Sequence, residues 1–205
     1  GARGASSYES AGIGGCAHLI NFMGSDSLSG VIAARKYYDI NMAAFSIPAA
    51  EHSTITSWGK DNEIKAYKNM LNKFAKPGSL VAVVSDSYDI YNATDNIWGD
   101  KLKQDVLDSG ATVIIRPDSG DPTVVPIQII SILMKRFGYT VNSKGYKVLP
   151  NCVRVIQGDG ININSIKKIL ENMKIAQLSI DNIAFGMGGA LLQEMSRDTL
   201  DFAMK

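Results

Sequence analysis

Residues 80–89 read Leu80-Val81-Ala82-Val83-Val84-Ser85-Asp86-Ser87-Tyr88-Asp89. A wholly apolar, valine-rich run gives way at once to hydroxyls and carboxylates. Such a run, bounded by a polar turn, reads as a buried strand, and its lack of alternation fits a sheet covered on both faces. The same grammar recurs along the chain. Ala43–Ile47 precedes Pro48-Ala49-Ala50-Glu51-His52-Ser53, and Thr112–Ile115 precedes Arg116-Pro117-Asp118-Ser119-Gly120. Val153–Ile156 precedes Gln157-Gly158-Asp159-Gly160, and Asn182–Phe185 precedes Gly186-Met187-Gly188-Gly189.

Helical patterns lie between these runs. Asp61–Ala75 repeats apolar residues at three- and four-residue steps through Ile64, Tyr67, Met70, Leu71 and Phe74. Val124–Phe137 and Ile166–Met173 behave alike, with Asn164 the predicted cap of the latter and Pro126 tolerated in a first turn. The small residues of Ala11–Ala17 predict a tightly packed early helix.

Strands alternating with helices imply a parallel α/β sheet. A doubly wound sheet gathers its site at one or two loops, whereas a (β/α) barrel gathers many loops at the carboxyl ends of its strands. A polar cluster after every strand therefore predicts a barrel. Five strands cannot close an eight-stranded one, so residues 1–205 are expected to be a single, partial α/β-barrel catalytic domain. The Gly1-Ala2-Arg3-Gly4 start and a last stretch, Asp198–Lys205, without a turn signal suggest an internal piece of a longer protein.

The chain is 45% apolar and carries 21 basic against 20 acidic residues, for a net charge of +1. That balance leaves no electrostatic footprint for nucleic acid or an anionic membrane. Two isolated cysteines, Cys16 and Cys152, make no disulfide framework and point to a reducing, cytoplasmic setting. No apolar run is long enough for a membrane span. No GxxxxGK[ST], HExxH, paired-cysteine metal spacing or Gly-x-Ser-x-Gly elbow is present.

The polar clusters carry the chemistry. Gly186–Gly189 follows a strand and opens a helical run through Leu191 and Leu192; glycines and free N–H groups there suit a phosphate, with Arg197 as fixed charge. Asp118 and Asp159 sit at strand ends, where carboxylates hold ribose hydroxyls or metal-bound water, or else cap their own turns. Of Asp86 and Asp89, one is expected to cap the next helix and the other to serve the site. His52 is open to acid, base or phosphate-acceptor roles, and His18 reads as a core or capping histidine.

Several segments together resemble the nicotinamide phosphoribosyltransferase family. They are Ser46–Thr54, Val84–Asn92, Ile115–Gly120, Asn142–Lys147, Arg154–Gly160, and Ala184–Gly189 with Arg197-Asp198. The resemblance spans essentially the whole chain. It implies an irregular TIM-like barrel of type II phosphoribosyltransferases and transfer of a phosphoribosyl group from phosphoribosyl pyrophosphate to nicotinamide, giving nicotinamide mononucleotide and pyrophosphate. Mg²⁺ would be the cofactor, ATP an optional coupled substrate, and a homodimer the expected assembly. By resemblance, Asp26 would accept from the carboxamide N–H₂, and Arg116 and Ser85 would line the base pocket. Asp118, Gly158 and Asp159 would hold ribose hydroxyls, while Gly188, Gly189 and Arg197 would hold the 5′-phosphate. Asp89 and Asp118 would orient Mg²⁺ through water, His52 would take a phosphoryl group from ATP, and Arg3 would lie at the mouth.

Met187, Ala190 and Ala2 depart from the family pattern. An aromatic pair flanking the pyridine and further phosphate ligands are expected outside residues 1–205, so this stretch alone is expected to be inactive. The alternatives are a nicotinate phosphoribosyltransferase, a non-catalytic binding module, or a phosphate-binding barrel for another substrate. Asp26 argues against nicotinate, whose carboxylate would meet a like charge.

Overall fold

A computed structural model describes residues 5–191. The chain divides into two compact units, Ile47–Gly186 on one hand and Gly1–Ser46 with Met187–Lys205 on the other.

The larger unit is built on one parallel sheet of four strands in the order β1-β2-β5-β6. These are β1 (Leu80–Val84), β2 (Thr112–Arg116), β5 (Val153–Gln157) and β6 (Ile183–Phe185). Val81, Val83, Val113, Ile115, Val153 and Val155 are all fully buried on one face of this sheet. Helix α4 (Glu63–Phe74) packs against β1, and α7 (Val125–Phe137) against β5. A short antiparallel hairpin, β3 (Thr140–Val141) and β4 (Lys147–Val148), precedes β5. Buried Asn182 secures it: Nδ2 donates to Lys147 O at 2.9 Å, and Oδ1 accepts from Leu149 N–H at 2.7 Å.

After β1, α5 (Ile90–Asn92) runs directly into a π-helical stretch, Ala93–Lys101, and then α6 (Lys103–Ser109). The wider π turn carries Trp98 into the core, where it stacks on Tyr67 with centroids 4.8 Å apart. Helices α3 (His52–Thr56) and α8 (Ile163–Ile175) complete the unit.

The smaller unit holds α1 (Tyr8–Leu19) and α2 (Leu28–Tyr38), packed closely through glycine. A Cβ on Gly30 would lie 2.7 Å from the Gly15 carbonyl carbon, so the two backbones touch where neither residue has a side chain.

The parallel α/β order and the last four of the five expected strands are present, and the helices predicted at 61–75, 124–137 and 166–173 form with bounds shifted by a few residues. Ala43–Ile47 is not a strand. Only single parallel bridges form there, Gly24–Phe45 and Ala49–Ala82, and Pro48 has no N–H to extend a ladder. The cap of α8 is Asn162, not Asn164: its carboxamide oxygen accepts from Asn164 N–H and Ser165 N–H, with Ser165 Oγ closing a capping box.

Gly30→Ala should destabilise the protein by about 1–3 kcal/mol despite alanine's better helix propensity, because the added carbon meets backbone and not a movable side chain. Gly24→Ala, whose Cβ meets nothing nearer than 3.9 Å, is the control. Equal urea midpoints for the two variants would refute the close-approach argument.

Candidate active site

The carboxyl ends of β1, β2 and β5 bring together most of the candidate residues of the larger unit. Glu51 and His52 open α3, Asp86 follows β1, Arg116 ends β2 with Asp118 two residues on, and Gly158-Asp159 follow β5. Asp86 is the centre. Its Oδ1 lies 2.9 Å from His52 Nε2, and its Oδ2 accepts the backbone N–H of Asp118 at 3.0 Å. The Asp86 side chain is 3% exposed and that of His52 36%. A carboxylate can only accept here, so Nε2 is the ring nitrogen that donates in this pair.

Arg116 bridges the cluster's two edges. Its Nη2 stands 3.8 Å from Glu51 Oε2 and its Nε 3.8 Å from Asp118 Oδ1. Both are long contacts, and the buried Nε has no hydrogen-bond partner among the described residues. Burial pushes the Asp118 carboxyl above its ordinary pKa, Arg116 opposes this, and Asp86 and Asp159 add to it. Gly158 lies beside this carboxylate: a Cβ there would sit 3.5 Å from Asp118 Oδ1. The turn that presents Asp159 is held by Gln157, whose Nε2 donates to the Asp159 carbonyl at 2.9 Å. Gly160 closes the turn at φ +65°, a conformation that favours glycine.

Other candidates fall elsewhere. Ser85 is completely buried; its hydroxyl donates to Val83 O and accepts the Trp98 indole N–H at 3.0 Å, so its side chain faces the core. Asp89 caps α5, its Oδ1 accepting from Tyr91 N–H and Asn92 N–H. Asp89 also lines a cavity of about 390 Å³ with Lys60, Glu63, Tyr88 and Lys101. The charges acting on Asp118 are those of Arg116, Asp86, His52 and Asp159, and Asp89 is not among them. Thus Asp86 joins His52 to Asp118, and Asp89 caps α5.

In the smaller unit, Asp26 Oδ1 accepts the Ser46 hydroxyl at 2.5 Å. Gly188 precedes a 3₁₀ turn, Gly189–Leu191, and a Cβ on Gly188 or Gly189 would meet nothing within 4 Å among the described residues. The onward helix expected through Leu192, together with Arg3, Arg197 and Asp198, lies outside the described residues.

Residues 1–205 match the pattern of the Nicotinate phosphoribosyltransferase (NAPRTase) family. The chain belongs to this family. It is 60% identical over 205 residues to a protein of Xanthomonas campestris pv. campestris named nicotinamide phosphoribosyltransferase, covering 100% of this chain and 44% of that protein. Proteins of the same name from Mycoplasma pneumoniae and Acinetobacter baylyi are 37% and 31% identical, each over 99% of this chain and 45% and 44% of their own lengths. The chain therefore spans less than half the length of these NAPRTase relatives. Among its described residues no helix is long and apolar enough to cross a membrane.

Glu51 and Asp86 were missed or left open as site residues by the sequence reading. Asp86 carried a usable signal, because a cap must precede its helix by one residue, and only Asp89 directly precedes the Ile90–Asn92 turn. Glu51 has only its adjacency to His52.

Because burial raises the Asp118 pKa, the folded state holds that proton more tightly than the unfolded chain does. The stabilisation is present at low pH and is lost as pH rises through the raised pKa. Asp118→Asn should therefore melt above the parent at neutral pH, and the gap should close on acidification toward about pH 4. Thermal melts across that range check it; a constant gap contradicts it.

Proposed function

We propose that the protein carrying this chain is a nicotinamide phosphoribosyltransferase, forming nicotinamide mononucleotide and pyrophosphate from nicotinamide and phosphoribosyl pyrophosphate. The observation that carries this reading is the convergence of Arg116, Asp118, Gly158 and Asp159 beside the His52–Asp86 pair. The names of the relatives support it.

Displacement of pyrophosphate from the ribose C1 builds positive charge on the sugar and negative charge on the leaving group. Asp118 and Asp159 would hold ribose hydroxyls and face the developing cation. The pyridine nitrogen is itself the nucleophile, so no protein nucleophile is required. Arg116 would lie against the base. Ser85 would act from below, fixing the end of β1 that presents Asp86 and not touching the base itself. Gly188 and Gly189 offer bare backbone for the 5′-phosphate, with Arg197 and Arg3 as the cations the resemblance adds.

Among the described residues no group of three or more His, Cys, Asp or Glu side chains is placed to hold a metal. The donors suit Mg²⁺ of the kind that keeps its waters and binds through a carboxylate and substrate phosphates. Asp118 would be that carboxylate; the ion would neutralise charge on the departing pyrophosphate. His52 would accept the γ-phosphoryl group of ATP through Nδ1, with ADP leaving and Asp86 held on Nε2. The four-stranded sheet would be an arc of the TIM-like barrel, the two free cysteines fit a reducing cytoplasm, and the homodimer follows from the resemblance.

The family's name favours a nicotinate reading, and Asp26 argues against it. A carboxylate accepts from a carboxamide N–H₂ and repels a carboxylate. The native protein should bind nicotinamide mononucleotide more tightly than nicotinate mononucleotide by calorimetry. Binding of neither nucleotide would favour the non-catalytic module instead. Asp26→Asn should lower the nicotinamide-to-nicotinate ratio of kcat/KM by about tenfold or more. An unchanged ratio would remove Asp26 from specificity.

A further inference from the structure

Strand β1 ends at Val84, and its pairing with β2 continues for one more bond, from Ser85 N–H to Arg116 O at 3.0 Å. Asp86 is the first residue past that ladder. Successive side chains of an extended chain point to opposite faces. Ser85 points into the core, where it is completely buried, and Asp86 points the other way, to His52. Two bonds pin the Ser85 hydroxyl: it donates to Val83 O at 2.9 Å and accepts the Trp98 indole N–H at 3.0 Å. Trp98 is itself held. It is fully buried, and its ring stacks on Tyr67 at 14° from parallel. The π-helical stretch that carries it is tied to α7 by the Asp95–Arg136 pair at 2.6 Å. At Gly99 this stretch lies so near α7 that a Cβ would stand 2.5 Å from Arg136 Cγ.

We propose that Trp98 is a positioning residue whose indole N–H, acting through Ser85, holds Asp86 on His52 and on the backbone of Asp118. An indole nitrogen donates and cannot accept, so its bond to Ser85 Oγ leaves the serine proton for Val83 O. Turning Ser85 out of the core would break both bonds where water does not replace them. That cost fixes the alternation at residues 85 and 86. The two oxygens of Asp86 reach separate partners at 2.9 and 3.0 Å, so a modest rotation of residue 86 cannot keep both. Apolar shape alone does not supply this hold. A phenylalanine at 98 would still stack on Tyr67, but it would leave Ser85 free to turn. What the positioning does for catalysis rests on the phosphoryl-acceptor role proposed above for His52; the geometry does not.

The test is made in the native protein, on the parent, Trp98→Phe, Ser85→Ala and the Trp98→Phe/Ser85→Ala double variant. Three quantities are read: the rate at which γ-labelled ATP labels His52, the melting temperature, and the Asp86–His52 separation in a crystal structure. Trp98→Phe should slow the labelling by about tenfold and lengthen the Asp86–His52 contact beyond hydrogen-bond reach. Ser85→Ala should do the same; it leaves the Trp98–Tyr67 stack in place and carries the test where loss of the indole volume unfolds the chain. It also strands the indole N–H, so it should melt below the parent, and the double variant should regain part of that loss. Labelling should stay low in the double variant all the same. Labelling that follows melting temperature across the four forms makes Trp98 a packing residue and overturns the assignment. Parent-rate labelling in Trp98→Phe overturns it too, as does an unmoved Asp86–His52 contact. A parent that takes no label removes the role of His52 and not the positioning, which the crystal structures then decide.

Discussion

Asp86 uses both oxygens at once, one on the His52 imidazole and the other on the backbone of Asp118. That double contact requires the ends of β1 and β2 to stand side by side in one register. They do so because Val84 pairs with Arg116, and the ladder runs one rung further when Ser85 N–H donates to Arg116 O at 3.0 Å. A slip of one residue would set Pro117, which has no N–H, where Asp118 now donates. The parallel register is therefore not only a property of the core. It decides which carboxylate faces the histidine, and it places Arg116 between Glu51 and Asp118.

The register is supported from below by a buried polar chain. Ser85 is joined to Trp98, Trp98 is stacked on Tyr67, and the Tyr67 hydroxyl donates to Glu63 at 2.7 Å. Each group would be costly to bury alone, and each has a partner. Burial nonetheless raises the Glu63 pKa, and Asp89 adds to the rise while the Tyr67 hydrogen bond and Lys60 oppose it. The π-helical stretch gains its reason here. It carries Trp98, whose indole N–H donates to Ser85 Oγ at 3.0 Å.

Much of this was legible along the chain. Helix α4 shows its buried face in Tyr67, Met70 and Leu71, and the strands show theirs in runs of valine and isoleucine, because burial imposes a period that composition then records. The polar clusters after β1, β2 and β5 were legible as a site for the same reason: strand ends in a parallel sheet lie together. What escaped the reading depends on contacts between residues far apart. Ala43–Ile47 has strand composition but one isolated bridge, from Phe45 to Gly24. Helix α2 has Gly30 near its start, a residue that argues against a helix unless Gly15 is known to press against it. Ser85 looked like part of the polar cluster, yet its side chain falls on the core face. The Ser46–Asp26 bond joins residues with no local signal between them.

That bond bears on how one family can hold enzymes for an acid and for its amide. Nicotinamide and nicotinate present the same ring nitrogen to the same ribose carbon, so groups that face the sugar and the leaving group cannot tell them apart. On the proposed reaction, Asp118, Asp159 and the glycine turns serve either base equally. Discrimination has to arise at the one substituent that differs, and it has to arise from donors and acceptors, since the two substituents are nearly equal in size. An aspartate alone could rotate, and the Ser46 hydroxyl that donates to its Oδ1 works against that. On the proposed reaction, the choice of base would then rest on Asp26 and not on the groups assigned to the ribose and the phosphate.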